Sequence, residues 1–323
     1  GNVTFGGAIQ SGDHGDNDVL VIKSGTGDVS ITGTIGLATD KELGGLKINA
    51  GESANSSDDK DGDITITGAI GGTPGGDTDE PGVIGITKIG NDATADLNFG
   101  GALYSFDGAT TITAAAGDNI DVAVTAEFST VTDALTFATG TIELADGANL
   151  TVNSSGGAIT IDSIASVEGT SGETVTINAG GVDSGTETVR LGNVGDSGHT
   201  EIHTLTVTAD DGITLTGAIY TAEAGSAATV TFNDAVIIDG AVIIDTDDST
   251  NDGNIVFNTS IEGKGDGGTE SLSIEGGTGT ITLTAIGATT TVGNLSINTQ
   301  DTATANLTIK NIGAGLVDAA TVV

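Results

Sequence analysis

The chain repeats one short pattern, and this repeat constrains the fold more than any other feature of the sequence. The pattern reads apolar-Thr-apolar-x-Gly-Ala-apolar, with small variations. Its tight copies are VTFGGAI at 3–9, VSITGTI at 29–35, ITITGAI at 64–70, LNFGGAL at 97–103 and ITLTGAI at 213–219, and looser copies begin at Val230, Ile255 and Ile281. The copies that start at 3, 29, 64 and 97, and those that start at 230, 255 and 281, are spaced by roughly 25 to 35 residues, a period typical of solenoid proteins.

Apolar and polar residues alternate strictly within each copy. Ile64 and Ile66 point to one side of an extended chain, while Thr65 and Thr67 point to the other. One coil cannot bury its inward apolar residues alone, whereas coils stacked about 4.8 Å apart form a continuous apolar column. The pattern therefore predicts an all-β chain folded as a right-handed parallel β-helix (β-solenoid), an elongated rod of stacked coils.

A second strand often precedes the repeat across a Gly/Asp turn. Examples are LVIKSGTGDVSITGTI from Leu20 and LTVTADDGITLTGAI from Leu205. We interpret each pair as a strand, turn, strand module. The small residues Ala69, Ala102 and Ala218, each next to a glycine, are predicted to point inward where the chain turns its corners.

The composition favours a thin core over a compact globular one. Aromatic residues make up 3 % of the chain, and Trp, Met and Cys are absent, so bulky core residues are few. High net charge and abundant glycine are also typical of disordered chains. However, 37 % of the residues are hydrophobic, and they follow the alternation described above. We therefore interpret the chain as folded.

The charge balance restricts the partners. The chain has 45 Asp plus Glu against 8 Lys plus Arg, a formal net charge of -37 at pH 7. Such a surface repels phosphate backbones and anionic lipids, which excludes nucleic acid and leaves cations as the natural counter-species. Salt screens this charge, so the acidity indicates an extracellular or cell-surface location, and the lack of cysteine is compatible with it.

No Pro-rich or Ser-rich linker divides the chain. We interpret it as one β-solenoid domain, 1–323, either whole or an excerpt or repeat unit of a larger chain. Segments 52–62, 71–81 and 246–253 are predicted to be loops that project from the coils. No run of about 18 apolar residues occurs, so no membrane span is predicted.

The wording L-T-x-x-A-x-x-G-I-T-[IFL]-x-G-A-[IV] occurs at 205–219 and, in part, at 46–50 and 63–70. In this wording and in its composition the chain resembles the giant repetitive surface proteins of bacteria, of the filamentous-haemagglutinin and autotransporter-passenger types. The resemblance is one of pattern and covers most of the chain. It implies a secreted filament, surface coat or adhesin segment with no catalytic residues.

Two acidic segments carry oxygen ligands at a spacing that approximates a calcium loop. They read S-x-D-x-D-G at 57–62 and D-x-T-x-D-G at 248–253, and hard cations prefer such clustered carboxylates. The candidate Ca²⁺ ligands are Asp59, Asp61, Asp63, Asp248 and Asp252. The bidentate acid expected at the end of the first loop is missing, and the alternative interpretation is that both segments are solvated acidic turns.

The sequence gives weaker support to two further kinds of site, a transition-metal site and a catalytic site. His199, Glu201 and His203 alternate along GHTEIH, which places them on one face of a strand, where they would hold Zn²⁺ or Ni²⁺ or be exposed on an outward face. Many β-helices are polysaccharide lyases or hydrolases, but Arg190 is the only arginine and aromatic sugar platforms are scarce. We therefore predict that the chain is not an enzyme.

Three functional hypotheses remain, in order of preference. The first is an extracellular structural protein that self-associates into a filament, fibre or sheet by stacking of solenoid units. The second is an adhesin segment that binds a partner or glycan through the lateral loops at 52–62 or 246–253. The third is a secreted polysaccharide-active β-helix.

Overall fold

The computed structural model describes residues 1–12, 18–24, 27–37, 43–48, 62–71, 83–87, 96–114, 117–167, 172–181, 187–195, 202–221, 228–247, 252–265, 269–297, 306–311 and 317–322. Over these residues the chain is all-β, without a helix, and its parallel strands stack as a β-solenoid. The predicted fold class is thus confirmed, while the handedness stays a prediction. The same residues include no helix that is long and apolar enough to cross a membrane.

The chain divides into two compact units, Gly1–Asp162 and Ser163–Val323. The interpretation of 1–323 as a single domain stays a prediction. The strands that lie wholly in the first unit are β1 (Val3–Phe5), β2 (Val19–Ile22), β3 (Val29–Ile31), β4 (Gly45–Ile48), β5 (Ile64–Ile66), β6 (Val83–Thr87), β7 (Leu97–Phe99), β8 (Leu103–Phe106), β9 (Thr110–Thr113), β10 (Asn119–Val122), β11 (Ala126–Thr130), β12 (Leu135–Phe137), β13 (Thr141–Leu144) and β14 (Leu150–Ser154).

Three columns of parallel strands build the first unit. One column runs β1–β3–β5–β7–β10–β13. A second runs β2–β4–β6–β9–β12 and ends on β15 (Ile159–Ser166), which pairs through Ile159 and Ile161. The third begins with single bridges at Ile9, Ile35 and Ile70 and continues as β8–β11–β14. Each tight repeat in this unit is therefore a strand of the first column plus the corner that leads into the third.

The second unit contains the remaining strands. They are β16 (Thr174–Ala179), β17 (Val189–Val194), β18 (Thr204–Ala209), β19 (Ile213–Leu215), β20 (Ile219–Tyr220), β21 (Thr229–Phe232), β22 (Val236–Ile238), β23 (Ala241–Asp245), β24 (Asn254–Gly263), β25 (Ser271–Glu275), β26 (Thr280–Ile286), β27 (Val292–Ile297), β28 (Asn306–Ile309) and β29 (Val317–Val322). One column runs β16–β18–β21–β24–β26–β28. A second runs β17–β19–β22–β24, and a third runs from Val194 of β17 through β20, β23, β25, β27 and β29.

The strand, turn, strand modules are corners of a coil, not hairpins. β2 and β3 flank one Gly/Asp turn, but β2 pairs with β4, and β3 pairs with β1 and β5. Every partner lies one coil away along the chain and runs parallel, which requires the chain to travel around the coil before it pairs. The repeat period is therefore the length of one coil.

Inward apolar side chains fill the space between the columns. In the first unit Ile31, Ile66 and Leu97 are fully buried, and in the second unit Val230 and Ile255 are equally so. Each is followed or preceded by an outward polar residue, as the alternation predicts. The interior is thus a stack of apolar layers, and the layers that contain these residues are covered by the coils on either side.

The first unit also contains an aromatic cluster. Phe99 packs edge-on against Tyr104 and Phe128, with ring centroids 4.8 and 5.0 Å apart, and Tyr104 stacks on Phe128 at 4.7 Å. Phe137 contacts Phe128 edge-on at 5.3 Å. The buried Tyr104 hydroxyl donates to the Ile66 carbonyl (2.9 Å) and accepts from the Gly101 N–H (2.6 Å). This phenol ties the core to a corner of the coil.

The corners depend on glycine, and the prediction of inward alanines was wrong. Ala102 is exposed and Ala69 is half-buried, whereas Gly68 and Gly101 beside them are buried. A Cβ placed on Gly68 would overlap the carbonyl oxygen of Gly33. The backbones of successive coils approach so closely at this corner that a side chain has no room on the inner side, so the alanine methyl turns outward.

Candidate functional site

A row of acidic residues runs from coil to coil along one corner of the first unit. Asn2, Asp28, Asp63 and Asp96 each directly precede a strand of the first column. Asn2 Nδ2 donates to Asp28 Oδ2 (2.8 Å), the Asp63 N–H donates to Asp28 Oδ1 (3.2 Å), and the Asp96 N–H donates to Asp63 Oδ1 (3.0 Å). The carboxylates of Asp28 and Asp63 thus each accept a backbone N–H of the next coil, which stabilises the stacking.

Two more acids lie in the adjacent outward row of the first column, two residues further along the strands, where Asp121 pairs with Asn98. Asp121 of β10 lies opposite Glu143 of β13, and Glu143 accepts a hydrogen bond from Asn119 Nδ2 (3.0 Å). Burial, together with the negative charges of Asp96, Glu143 and Asp63, raises the pKa of Asp121 to about 6. Like charges stacked one coil apart repel each other. We call Asp63, Asp96, Asp121 and Glu143 the acidic ladder.

The substitution Asp121→Asn should remove a pH dependence from the stability of the first unit. A folded-state pKa near 6, above the usual 3.8 of aspartate, gives a contribution that is fully present below pH 3.8 and is lost as pH rises through about 6. We expect the variant to unfold at higher urea than the wild type at pH 8 and at similar urea near pH 4. Urea titrations at several pH values measure this.

The matched control for that experiment is Asp18→Asn, which removes an exposed carboxylate of the same unit. It removes one negative charge, as Asp121→Asn does, but leaves the acidic ladder intact. An equal change in the pH profile of both variants would contradict the assignment to Asp121, because it would then reflect net charge alone.

An acidic pair of similar kind lies in the second unit. Asp245 of β23 stands opposite Glu275 of β25. Burial raises the pKa of Asp245, a hydrogen bond from the Asp247 N–H lowers it (3.0 Å), and the charge of Glu275 raises it. Stacked carboxylates are therefore a recurrent feature of the outward faces in both units.

The candidate calcium ligands are only in part within the described residues. Asp59, Asp61 and Asp248 lie outside them, so the prediction of a Ca²⁺ loop at these positions stays a prediction. Asp63 is a member of the acidic ladder, and the Asp252 carboxylate accepts both the backbone N–H and the hydroxyl of Thr278. The described residues include no group of three or more His, Asp or Glu placed to hold a metal ion.

The candidate Zn²⁺ or Ni²⁺ ligands are likewise only in part within the described residues. His199 and Glu201 lie outside the described residues. His203 precedes β18, and its Nδ1 is 3.0 Å from the Thr204 hydroxyl. The histidine is thus hydrogen-bonded within the sheet on one side of its ring.

The only arginine is engaged with a carboxylate. Arg190 Nη1 lies 3.2 Å from Asp239 Oδ2, and Lys264 Nζ lies 2.8 Å from Asp239 Oδ1. The bond from Lys264 is the largest cause that holds the pKa of Asp239 below its usual range; burial opposes it, and the bond from Arg190 and the charges of both cations lower the pKa further. Two cations therefore share one carboxylate and join three coils on the outward side of the second column.

Glu262 also accepts backbone hydrogen bonds from the next coil, and it accepts more of them than Asp28 or Asp63. Its side chain accepts three consecutive backbone N–H groups from the next coil, those of Ala288 (3.2 Å), Thr289 (3.0 Å) and Thr290 (2.8 Å). Asp28, Asp63 and Glu262 thus act alike, as acceptors that bind one coil to the next. These carboxylates therefore stabilise the stacking of the coils.

The sequence analysis did not predict these hydrogen bonds between coils. The signal was present, because an Asp or Asn stands directly before the apolar-Thr-apolar triplet at Asn2, Asp28, Asp63 and Asp96. This position marks the corner where a backbone N–H faces the previous coil, and an Asp or Asn side chain is short enough to reach it.

Comparisons with known proteins find no match to this chain among protein families, curated proteins or solved structures. The resemblance to bacterial surface β-solenoids is thus confirmed for the parallel solenoid architecture alone. Membership of an adhesin or autotransporter family stays a prediction.

Proposed function

We propose that the chain is an extracellular structural protein whose coils stack on the coils of further copies to form a filament. The observation that carries the proposal is that the coils are self-complementary, because equivalent strands of successive coils pair in parallel and in register. Phe5 and Ile9 are only half-buried, although Ile31 and Ile35 at the equivalent positions of the next coil are fully buried. An apolar layer is therefore fully buried only when a coil of the same kind lies on each side of it, and such a coil can belong to the same chain or to another copy.

The backbone of β1 offers the matching hydrogen-bonding groups. The Val3 N–H donates to the Asp28 carbonyl (2.8 Å), and the Phe5 carbonyl accepts the Thr32 N–H (3.0 Å). Alternate residues of a parallel strand bond to opposite neighbours, so the N–H and C=O of Thr4 point away from β3. An edge strand of this kind is a template for another strand.

The net negative charge of the chain opposes association of copies at low ionic strength. Two chains of net charge -37 repel each other, and the repulsion between exposed charges falls once the Debye length is about 8 Å or less, as at physiological salt and above. The proposal of an extracellular location rests on the same charge. Calcium would add to this screening at the acidic segments that contain Asp59, Asp61 and Asp248.

The test is sedimentation velocity and negative-stain imaging of the purified chain over a range of NaCl concentrations. We expect assembly to increase with protein concentration and with ionic strength. The series is repeated with CaCl₂ and with MgCl₂ at equal ionic strength, and a larger effect of calcium would support a calcium site. A single sedimenting species at every salt and protein concentration would contradict self-association.

The variant Thr4→Pro separates end-to-end stacking from other association. Proline removes the N–H that points away from β3, and an edge strand tolerates it there, so the fold is retained. We expect this variant to assemble less than the wild type, with an unchanged circular dichroism spectrum. Thr4→Val is the control, because it keeps the backbone N–H and should assemble like the wild type.

A further inference from the structure

The second unit presents a regular array of threonine side chains on one face. These side chains point outward from the column β16–β18–β21–β24–β26–β28, in three rows across the strands. We call this array the threonine face. Its rows are Thr174, Thr204, Thr229, Asn254, Thr280 and Asn306; Thr176, Thr206, Thr231, Val256, Thr282 and Thr308; and Asn178, Thr208, Asn233, Asn258, Thr284 and Lys310.

The threonine face contains no acid, although the chain has 45 Asp plus Glu. Its one charged member is Lys310, at the edge of the array. Outward positions of the first column of the first unit carry Asp121 and Glu143, so neutrality is not a general property of these sheets. A neutral face on so acidic a chain fits a partner that is itself uncharged.

The hydroxyls of the middle row are available to a partner. Among the described residues, no protein group forms a hydrogen bond with the hydroxyls of Thr176, Thr206, Thr231, Thr282 or Thr308. The flanking rows are more constrained, since Asn258 Nδ2 donates to Asn233 (2.8 Å) and Asn233 Nδ2 donates to Thr208 (3.0 Å). The flanking amides thus fix the edge of the array while the central hydroxyls face solvent.

The spacing of the array has two periods. Neighbouring strands are about 4.8 Å apart, and alternate residues along a strand are about 6.6 Å apart. These distances are of the same order as the repeats between oxygen atoms on the faces of hexagonal ice. A β-branched side chain has a restricted χ1 angle, so the threonine hydroxyls and methyls hold these positions with little loss of entropy on binding. We propose that the threonine face binds ice.

Two other occupants fit this face less well. A second copy pressed against it would bury rows of hydroxyls away from water, and each hydroxyl without a new hydrogen bond disfavours such a contact. Crystalline polysaccharides are bound through aromatic platforms, and the threonine face has no aromatic residue. Ice instead supplies a lattice of water molecules that can donate to and accept from each hydroxyl.

The test is partition of the purified full chain between slowly grown polycrystalline ice and the remaining liquid, with thermal hysteresis measured on the same sample. The protein is kept at a concentration at which it sediments as one species, so the result does not depend on filament formation. We expect the wild type to be enriched in the ice relative to serum albumin and to produce thermal hysteresis. Exclusion from ice at the level of albumin would overturn the proposal.

Thr231→Tyr tests which face is responsible. Tyrosine is a good strand residue, but its ring would stand above the middle row and separate the array from the ice lattice. We expect this variant, and Thr206→Tyr, to lose the enrichment and the hysteresis with an unchanged circular dichroism spectrum. The control is Thr214→Tyr, which places the same side chain on β19, between Arg190 and Ile237 of another column, and should behave like the wild type.

Three results would overturn the assignment to this face. One is full ice enrichment of both Thr231→Tyr and Thr206→Tyr. Another is a change in the sedimentation coefficient of Thr231→Tyr without ice, because the face would then be covered by a second copy. The third is tighter retention of the wild type on crystalline cellulose or chitin than in ice, with loss of that retention in Thr231→Tyr.

Discussion

Phe128→Ala is expected to lower the free energy of unfolding of the first unit by about 3–5 kcal/mol, the range observed for removal of a buried phenylalanine ring. The ring contacts Phe99, Tyr104 and Phe137, and it is fully buried. Its loss would leave a cavity among three aromatic groups. The columns of strands are held by hydrogen bonds on both sides, so the coil has little freedom to collapse into that cavity. Urea denaturation followed by circular dichroism measures the change.

The control for this prediction is Phe5→Ala, which removes the same side chain from the first coil. Phe5 is half-buried, so less apolar surface leaves water when it packs and its removal should cost less. A loss for Phe5→Ala as large as that for Phe128→Ala would contradict the layered core, in which the contribution of a ring depends on coils above and below it.

Gly68→Ala is the second substitution with a large expected effect. The new Cβ would overlap the carbonyl oxygen of Gly33 in the preceding coil. The backbone on both sides is fixed by hydrogen bonds between the parallel strands. Overpacking of a core typically costs about 1–3 kcal/mol and occasionally more, and we expect this variant at the upper end because no flexible side chain is available to move. The same urea titration measures it.

Gly7→Ala is the matched control, because Gly7 occupies the same position of the repeat in the first coil. A Cβ placed on Gly7 meets no atom within 4 Å, so the substitution should leave stability nearly unchanged in the unassembled chain. Similar destabilisation by both variants would show that glycine is required by the backbone conformation of the corner, and the proposed contact between coils would be wrong.

The columns of the solenoid could be predicted from the sequence because alternation and period are both local signals. The Ile-Thr-Ile triplet at 64–66 identifies a strand and its inward face, and the repeat at 29–35 and 64–70 gives its partner. The middle of the chain matched the repeat less well, and there the structure continues the same columns through β10, β11 and β12. Strand pairing there depends on apolar alternation without the Gly-Ala corner.

The corners could not be predicted from alternation. An extended strand has a period of two, but the period ends where the chain turns, so nothing local decides whether Gly68 or Ala69 faces inward. That choice depends on the distance to Gly33, which lies one coil away in space and 35 residues away in sequence. The hydrogen bonds that Asp28 and Asp63 accept from the next coil escaped prediction for the same reason, since both look like ordinary turn residues until the coils are stacked.

The coils keep their register although they differ in length. The same corner contact, a backbone N–H that donates to the side chain of the previous coil, recurs after 26 residues from Asn2 to Asp28, after 35 from Asp28 to Asp63 and after 33 from Asp63 to Asp96. Extra residues are therefore accommodated between columns while the columns remain aligned, and doubling the length of a loop costs only about 0.6 kcal/mol in closure entropy. A chain built in this way can diversify its lateral segments in length and sequence, coil by coil, and carry new surfaces at fixed intervals without redesign of its core.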